Sequence, residues 1–158
     1  DILSPEIIVN TLGPKGSFRG TCEQKRIPSL TLELGDPNMF QKKHIQCAHY
    51  GLLRCLHYLS MLPQKTSKHI ELRGKKPPII CSSSKWYYTK HGGILTIEPE
   101  LTDFVLKGQV IANIKDVFGN KVSSIKAKDS GYIIGKSSYP ISQEGARVIH
   151  LGIAEAVQ

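Results

Sequence analysis

The sequence predicts an α+β fold in two parts: the closing strand and helix of an α/β layer within residues 1–69, then an all-β domain over 70–158. Three observations carry this expectation. Leu30, Leu32 and Leu34 alternate with Ser29, Thr31 and Glu33, the period of a half-buried strand. Ile45, Ala48, Leu52, Leu53, Leu56 and Leu59 then recur at three- and four-residue intervals, which is the stripe of an amphipathic helix. From about Ile70 the helical period is gone, and short apolar runs are separated by Gly, Pro, Asn and Asp.

Taken in order, Pro5–Leu12 (PEIIVNTL) reads as a short helix, with Ser4 as N-cap and Pro5 at the first helical position. Gly13–Ser17 reads as a turn. The polar segment FRGTCEQKR after it is helix-compatible and stops at Ile27-Pro28. Residues 29–34 are the expected strand, with the leucines on one face and Glu33 on the other. Gly35-Asp36-Pro37-Asn38 closes it, and the long helix is expected from about Met39 to Leu62, just before Pro63. One six-residue strand cannot cover such a helix, because an α/β layer needs several neighbouring strands. The first part therefore reads as the end of an α/β domain whose remainder lies elsewhere. Beyond it, KPPIICSS, GGILTI, DFVLKG, QVIANIKD, KVSSIKA, GYIIGK and ARVIHLG are the expected strands. Phe118-Gly119-Asn120 is a tight connection, and Gly131 and Gly145 are read as turn or close-approach positions.

Composition narrows the function classes. With 158 residues, 40% hydrophobic and 22% charged, the chain is of ordinary globular make-up. It contains no apolar run of about 18 residues, so no membrane span or membrane partner is expected. The net charge of +8 raises nucleic acid as a partner, yet residues 1–70 hold 9 basic and 5 acidic residues and 71–158 hold 12 and 8, so neither half is the basic one. The local concentration of Arg73, Lys75, Lys76, Lys85 and Lys90, around Pro77-Pro78 and Ser82-Ser83-Ser84, reads as a solvated connection. Trp86, Tyr87 and Tyr88 beside it keep single-stranded RNA as a minor alternative. Cys22, Cys47, Cys55 and Cys81 show no C-x-x-C spacing and read as reduced thiols of a cytoplasmic protein. None of the six histidines has an H-x-x-x-H or H-x-x-E partner, and His44 with Cys47 alone does not make a four-ligand site.

The order of segments resembles the succinylglutamate desuccinylase/aspartoacylase family of zinc carboxypeptidase-like hydrolases. IPSLTLELG (27–35) is similar to the family's strand with Glu in an apolar-x-Glu-x-Gly setting, and GLLRCLHYLSML (51–62) to the helix that follows. GGI (92–94), KGQVIANIKDVFGNKV (107–122), DSGYIIG (129–135), PISQEG (140–145) and VIHLG (148–152) resemble its C-terminal β-domain, a barrel-sandwich-like module.

The resemblance implies zinc-assisted cleavage of an amide in a small acylated substrate, the metal polarising the carbonyl and acidifying a water. A carboxylate then takes the water's proton and returns it to the leaving amine. That carboxylate carries over to Glu33. Arg19 is a candidate for holding an anionic substrate group, since a guanidinium binds a carboxylate in two-pronged fashion. The family's zinc ligands, a His-x-x-Glu pair and a later His, precede the Glu strand, and no H-x-x-E occurs here. No metal ligand is therefore assigned in this chain. Zinc is expected on an N-terminal portion of the same protein, the chain alone is expected to be inactive, and a homo-oligomer is allowed. His150 reads as a packed or hydrogen-bonded strand residue, and Trp86 and Tyr87 as anchors of the β-domain. A different reading takes the β-domain as a biotinyl/lipoyl-like interaction module, with Lys115 and Lys121 flanking its hairpin but without a carrier's lysine motif.

Overall fold

The computed structural model describes residues 2–63 and 77–154. The expected boundary at 69/70 and the basic residues Arg73, Lys75 and Lys76 lie outside them. The elements are β1 (Ile7–Val9), α1 (Phe18–Gln24), α2 (Lys42–Tyr58), β2 (Ile79–Tyr88), β3 (Gly93–Ile97), β4 (Phe104–Val105), β5 (Val110–Lys115), β6 (Lys121–Lys126), β7 (Gly131–Lys136), β8 (Ile141–Ser142) and β9 (Arg147–Ala154). The fold is α+β, in two units. One comprises 1–6 and 12–78, and the other 7–11 and 79–158.

The β unit consists of a five-stranded sheet, β1-β2-β9-β7-β4, and a four-stranded sheet, β6-β5-β3-β8. Both sheets feed one core of Tyr87, Leu95, Val105, Ile111, Ile114, Ile133, Val148, Ile149 and Leu151 with their small neighbours. In β5, Ala112 and Ile114 follow the two-residue period of a strand and are fully buried, and Ile111 is buried beside them where the ladder to β6 shifts register between Val110 and Ala112. Every ladder except β1–β2 is antiparallel. The strand-like runs from 79 onward are strands, and β8 adds a short one within PISQEG. Two glycines act as the sequence suggests. A Cβ on Gly131 would lie 2.3 Å from the Gly152 carbonyl oxygen, so β7 and β9 pass each other only without it. Gly145 holds φ +78° in the turn before β9. Tyr87 is an anchor in the literal sense, its buried ring sitting in the core and its hydroxyl accepting the Lys128 amide at 2.8 Å.

Three expectations are corrected. Residues 5–12 do not form a helix: Ile7–Val9 pairs in parallel with Ile79–Cys81, and Ser4 adopts φ +49° instead of capping. Three consecutive β-branched residues favour the ladder once a partner is offered. Ser82–Trp86 is not a solvated connection but part of the ten-residue β2. Residues 29–34 form no strand; among the described residues nothing pairs with them, and Leu30, Leu32 and Leu34 are exposed. Alternation marks which residues would face a core, but the ladder itself needs a neighbour.

In the other unit, α2 is shorter at both ends than the expected 39–62. It stops where Ser60 turns into the left-handed region, φ +57°, with the Leu59, Ser60 and Met61 amides bonded back to Cys55, His57 and Leu56. Half of the apolar stripe is uncovered, with Ile45, Leu52 and Leu59 at 54%, 57% and 62% exposure, while Ala48, Leu53 and Leu56 are half-buried.

Candidate functional site

The two residues assigned from sequence lie in the helical unit. Arg19 is in α1, whose start is fixed by Ser17: its hydroxyl accepts the Gly20 amide at 3.0 Å and donates to Pro14 at 2.7 Å. The preceding loop is folded hard against this helix. A Cβ on Gly13 would stand 2.4 Å from the Gly20 nitrogen, and the Gly13 amide donates to both Glu23 carboxylate oxygens at 2.9 and 2.8 Å. Arg19 adds to that closure, since Nη2 donates to the Leu12 carbonyl at 3.0 Å. Arg19 is half-buried as a residue, and this surface hydrogen bond orients its guanidinium.

Glu33 sits in the unpaired run 27–34 and is exposed. What positions it is the turn that follows. Gly35 has φ +63°, the Asp36 amide donates to Gln41 Oε1 at 2.7 Å, and Asp36 Oδ1 accepts the Asn38 amide at 2.8 Å. A Cβ on Gly35 would fall 2.2 Å from that same Gln41 oxygen, so the turn needs glycine there. Gln41 immediately precedes α2 and spends its side chain on this turn instead of capping the helix. This role was not read from the sequence; the signal was the G-D-P-N run, in which Asp commonly bonds the backbone two residues on. The structure thus leads Glu33 through a side-chain-clamped turn into α2, and it keeps Arg19 on a separate element.

The remaining candidates fall into place in the β unit. His150 Nε2 lies 2.9 Å from Ser84 Oγ and its ring stacks on Trp86, 4.2 Å between centroids at 12°, with the Arg147 guanidinium 5.0 Å from the Trp86 ring centre. It is the packed, hydrogen-bonded strand residue expected. Lys85 is ion-paired with Asp129 at 2.7 Å, and that hydrogen bond, above the charges of Lys85, Lys107 and Lys128, holds the Asp129 carboxyl below its ordinary value. Lys115 and Lys121 face each other across the base of the β5–β6 hairpin, and its tip, Asp116–Asn120, contains no lysine. An open concavity of about 280 Å³ lies beside β4, lined by Glu98, Pro99, Asp103, Phe104, Val105 and Gln109. Both acids there are engaged, Glu98 by Asn113 at 3.1 Å and Asp103 by the Glu100 amide at 2.8 Å. No three His, Cys, Asp or Glu side chains converge among the described residues, so these residues do not furnish a zinc site. No helix of the described residues is long and apolar enough to cross a membrane.

Compared with solved structures, the chain superposes on a succinylglutamate desuccinylase from Silicibacter sp. TM1040 with a TM-score of 0.77 at 18% identity, covering 98% of this chain and 47% of that one. The fold is that of the succinylglutamate desuccinylase/aspartoacylase proteins. The ectoine utilization protein EutE (DoeB) from Ruegeria pomeroyi gives a TM-score of 0.78 at 15% identity, covering 96% of this chain and 48% of that one. A succinylglutamate desuccinylase/aspartoacylase from Rhodobacter sphaeroides gives 0.71 at 15%, covering 89% and 44%. The chain spans about half the length of these desuccinylase-like structures. No family model and no curated protein matches.

Proposed function

We propose that this chain is the C-terminal portion of a zinc-dependent amide hydrolase that deacylates an N-acyl amino acid or a similar small molecule. The observation that carries the reading is the superposition of nearly the whole chain on desuccinylase structures. The β unit, with its two sheets on one core, serves in this reading as the family's barrel-sandwich-like domain.

Glu33 is assigned the proton transfers. Its carboxylate takes a proton from the water that attacks the acyl carbonyl, then delivers it to the departing nitrogen as the C–N bond breaks, leaving a carboxylic acid and a free amine. Exposure suits this role, since the group must meet both solvent and substrate. Arg19 is assigned the anionic end of the substrate, where a guanidinium already oriented by Leu12 loses little freedom on binding a carboxylate. Zinc belongs to the proposal with its ligands in the N-terminal portion, and no step given to Glu33 or Arg19 passes through it. A cytoplasmic setting fits the four free thiols.

The test is amino-acid release from a panel of N-acyl amino acids, using the intact protein in the presence of zinc and, separately, this chain alone. The intact protein is expected to hydrolyse at least one substrate and the chain alone none. An intact protein that binds zinc and cleaves no N-acyl amino acid would overturn the assignment.

A further inference from the structure

Arg19 and Glu23 stand one turn apart on α1, and they hold the same peptide group from its two ends. The Leu12 carbonyl accepts Arg19 Nη2 at 3.0 Å, and the amide of the next residue, Gly13, donates to both Glu23 carboxylate oxygens at 2.9 and 2.8 Å. Residues four apart on a helix are neighbours on one face, so a single peptide can engage both. The loop that carries this peptide has little room to slide. A Cβ on Gly20 would lie 2.3 Å from the Pro14 carbonyl oxygen, and the Ser17 amide donates to that same carbonyl at 3.0 Å. Of the two holds, the one by Glu23 is the firmer: its acceptor is charged and the bond is part-buried, whereas Arg19 bonds a neutral carbonyl at the surface.

We propose that Glu23 is the positioning residue for Arg19, and that it thereby sets the enzyme's preference for substrates ending in a carboxylate. This rests on the role given to Arg19 above and asks what fixes the carbonyl that orients it. With the Gly13 amide held, the Leu12–Gly13 peptide cannot rotate, its carbonyl keeps one direction, and the guanidinium meets an incoming carboxylate already aimed. Without Glu23 the peptide turns, and the guanidinium must be ordered at the moment of binding. Glu23 acts through the peptide, so what its side chain must supply is an oxygen that accepts the Gly13 amide.

The experiment compares kcat/KM of the intact protein, in the presence of zinc, on the N-acyl amino acid it hydrolyses best and on the analogue whose carboxylates are primary carboxamides. The preference for the charged substrate is the quantity read. Arg19→Gln should cut that preference by at least about thirty-fold, the scale of removing one partner of a charge pair. Glu23→Leu should cut it by about ten-fold and leave the carboxamide within about two-fold of the parent protein, and Glu23→Gln, which keeps an oxygen for the Gly13 amide, should restore it. On an Arg19→Gln background, Glu23→Leu should change nothing further. Glu23→Asp withdraws the carboxylate by one methylene and should fall between the parent and Glu23→Leu; it decides the matter if the leucine variant does not fold. A Glu23→Leu protein that loses both substrates equally has only a structural defect, and one that prefers the charged substrate more strongly shows Glu23 competing for the guanidinium; either result overturns the proposal. A preference lost in Arg19→Gln but unmoved in Glu23→Leu ends the role of Glu23 and leaves that of Arg19 standing. A preference unmoved in Arg19→Gln ends both, as does an intact protein without deacylase activity.

Discussion

Replacing Gly131 by alanine puts a methyl carbon 2.3 Å from the Gly152 carbonyl oxygen, where ordinary contact begins near 3.4 Å, so about 1 Å must be found. The obstructing atom is backbone of β9, which is held by β2 on one side and β7 on the other, and no rotamer can relieve it. Overpacking of this kind costs about 1–3 kcal/mol, and the upper end applies because a ladder has to move. Gly145→Ala is the internal control. It has φ +78° and nothing within 4 Å of the new methyl, so its cost is the left-handed conformation alone, roughly 1–2 kcal/mol. For a unit of about 80 residues, 1 kcal/mol corresponds to about 4–8 °C in Tm. Thermal unfolding followed by circular dichroism should therefore show Gly131→Ala losing at least about 12 °C, and distinctly more than Gly145→Ala. A Gly131→Ala protein with the same Tm as Gly145→Ala would refute the close approach of β7 and β9.

Other consequences can be measured on the same unit. Ile133→Ala empties a fully buried position and should lower unfolding stability by about 2–5 kcal/mol in urea titration, with m unchanged. Tyr87→Phe leaves the Lys128 amide without its acceptor and should cost about 1–2 kcal/mol by the same assay. The Asn120 side-chain amide first, then the backbone amides of Asn120, Phe118 and Gly119, hold the Asp116 carboxyl below its ordinary value of 3.8. Its stabilising contribution is thus present at neutral pH and is lost as pH falls below the ordinary carboxylate range through the lowered value. Asp116→Ala should accordingly flatten the acid limb of a stability-against-pH curve and speed hydrogen exchange at the Phe118 and Asn120 amides.

Much of the β unit was legible because each strand is bounded by its own turn chemistry. The Phe118-Gly119-Asn120 connection and the existence of β5 and β7 follow from local sequence alone. β1 was not legible, since Ser4-Pro5 carries the chemistry of a helix start and its actual partner, Ile79–Cys81, lies some seventy residues away. Residues 29–34 failed for the opposite reason: their alternation is that of a strand, but a ladder is supplied by neighbours, and the described residues offer none. Glu33 and Arg19 were therefore readable as chemical groups in a family context, whereas the clamp that Gln41 places on the turn behind Glu33 is a tertiary fact. Phe118 was read only as part of a tight connection. The bonds that Asp116 accepts from the Phe118 and Asn120 amides are likewise not announced by spacing.

The proposal for Glu33 has one direct test, the steady-state deacylation of an N-acyl amino acid by the intact protein and its Glu33→Gln variant. The amide keeps the shape and removes the proton acceptor. A general base/acid at this position predicts that kcat falls by about two to four orders of magnitude while KM stays within a few-fold. A variant with undiminished kcat would show that the proton transfers run through another group, and the assignment of Glu33 would be wrong.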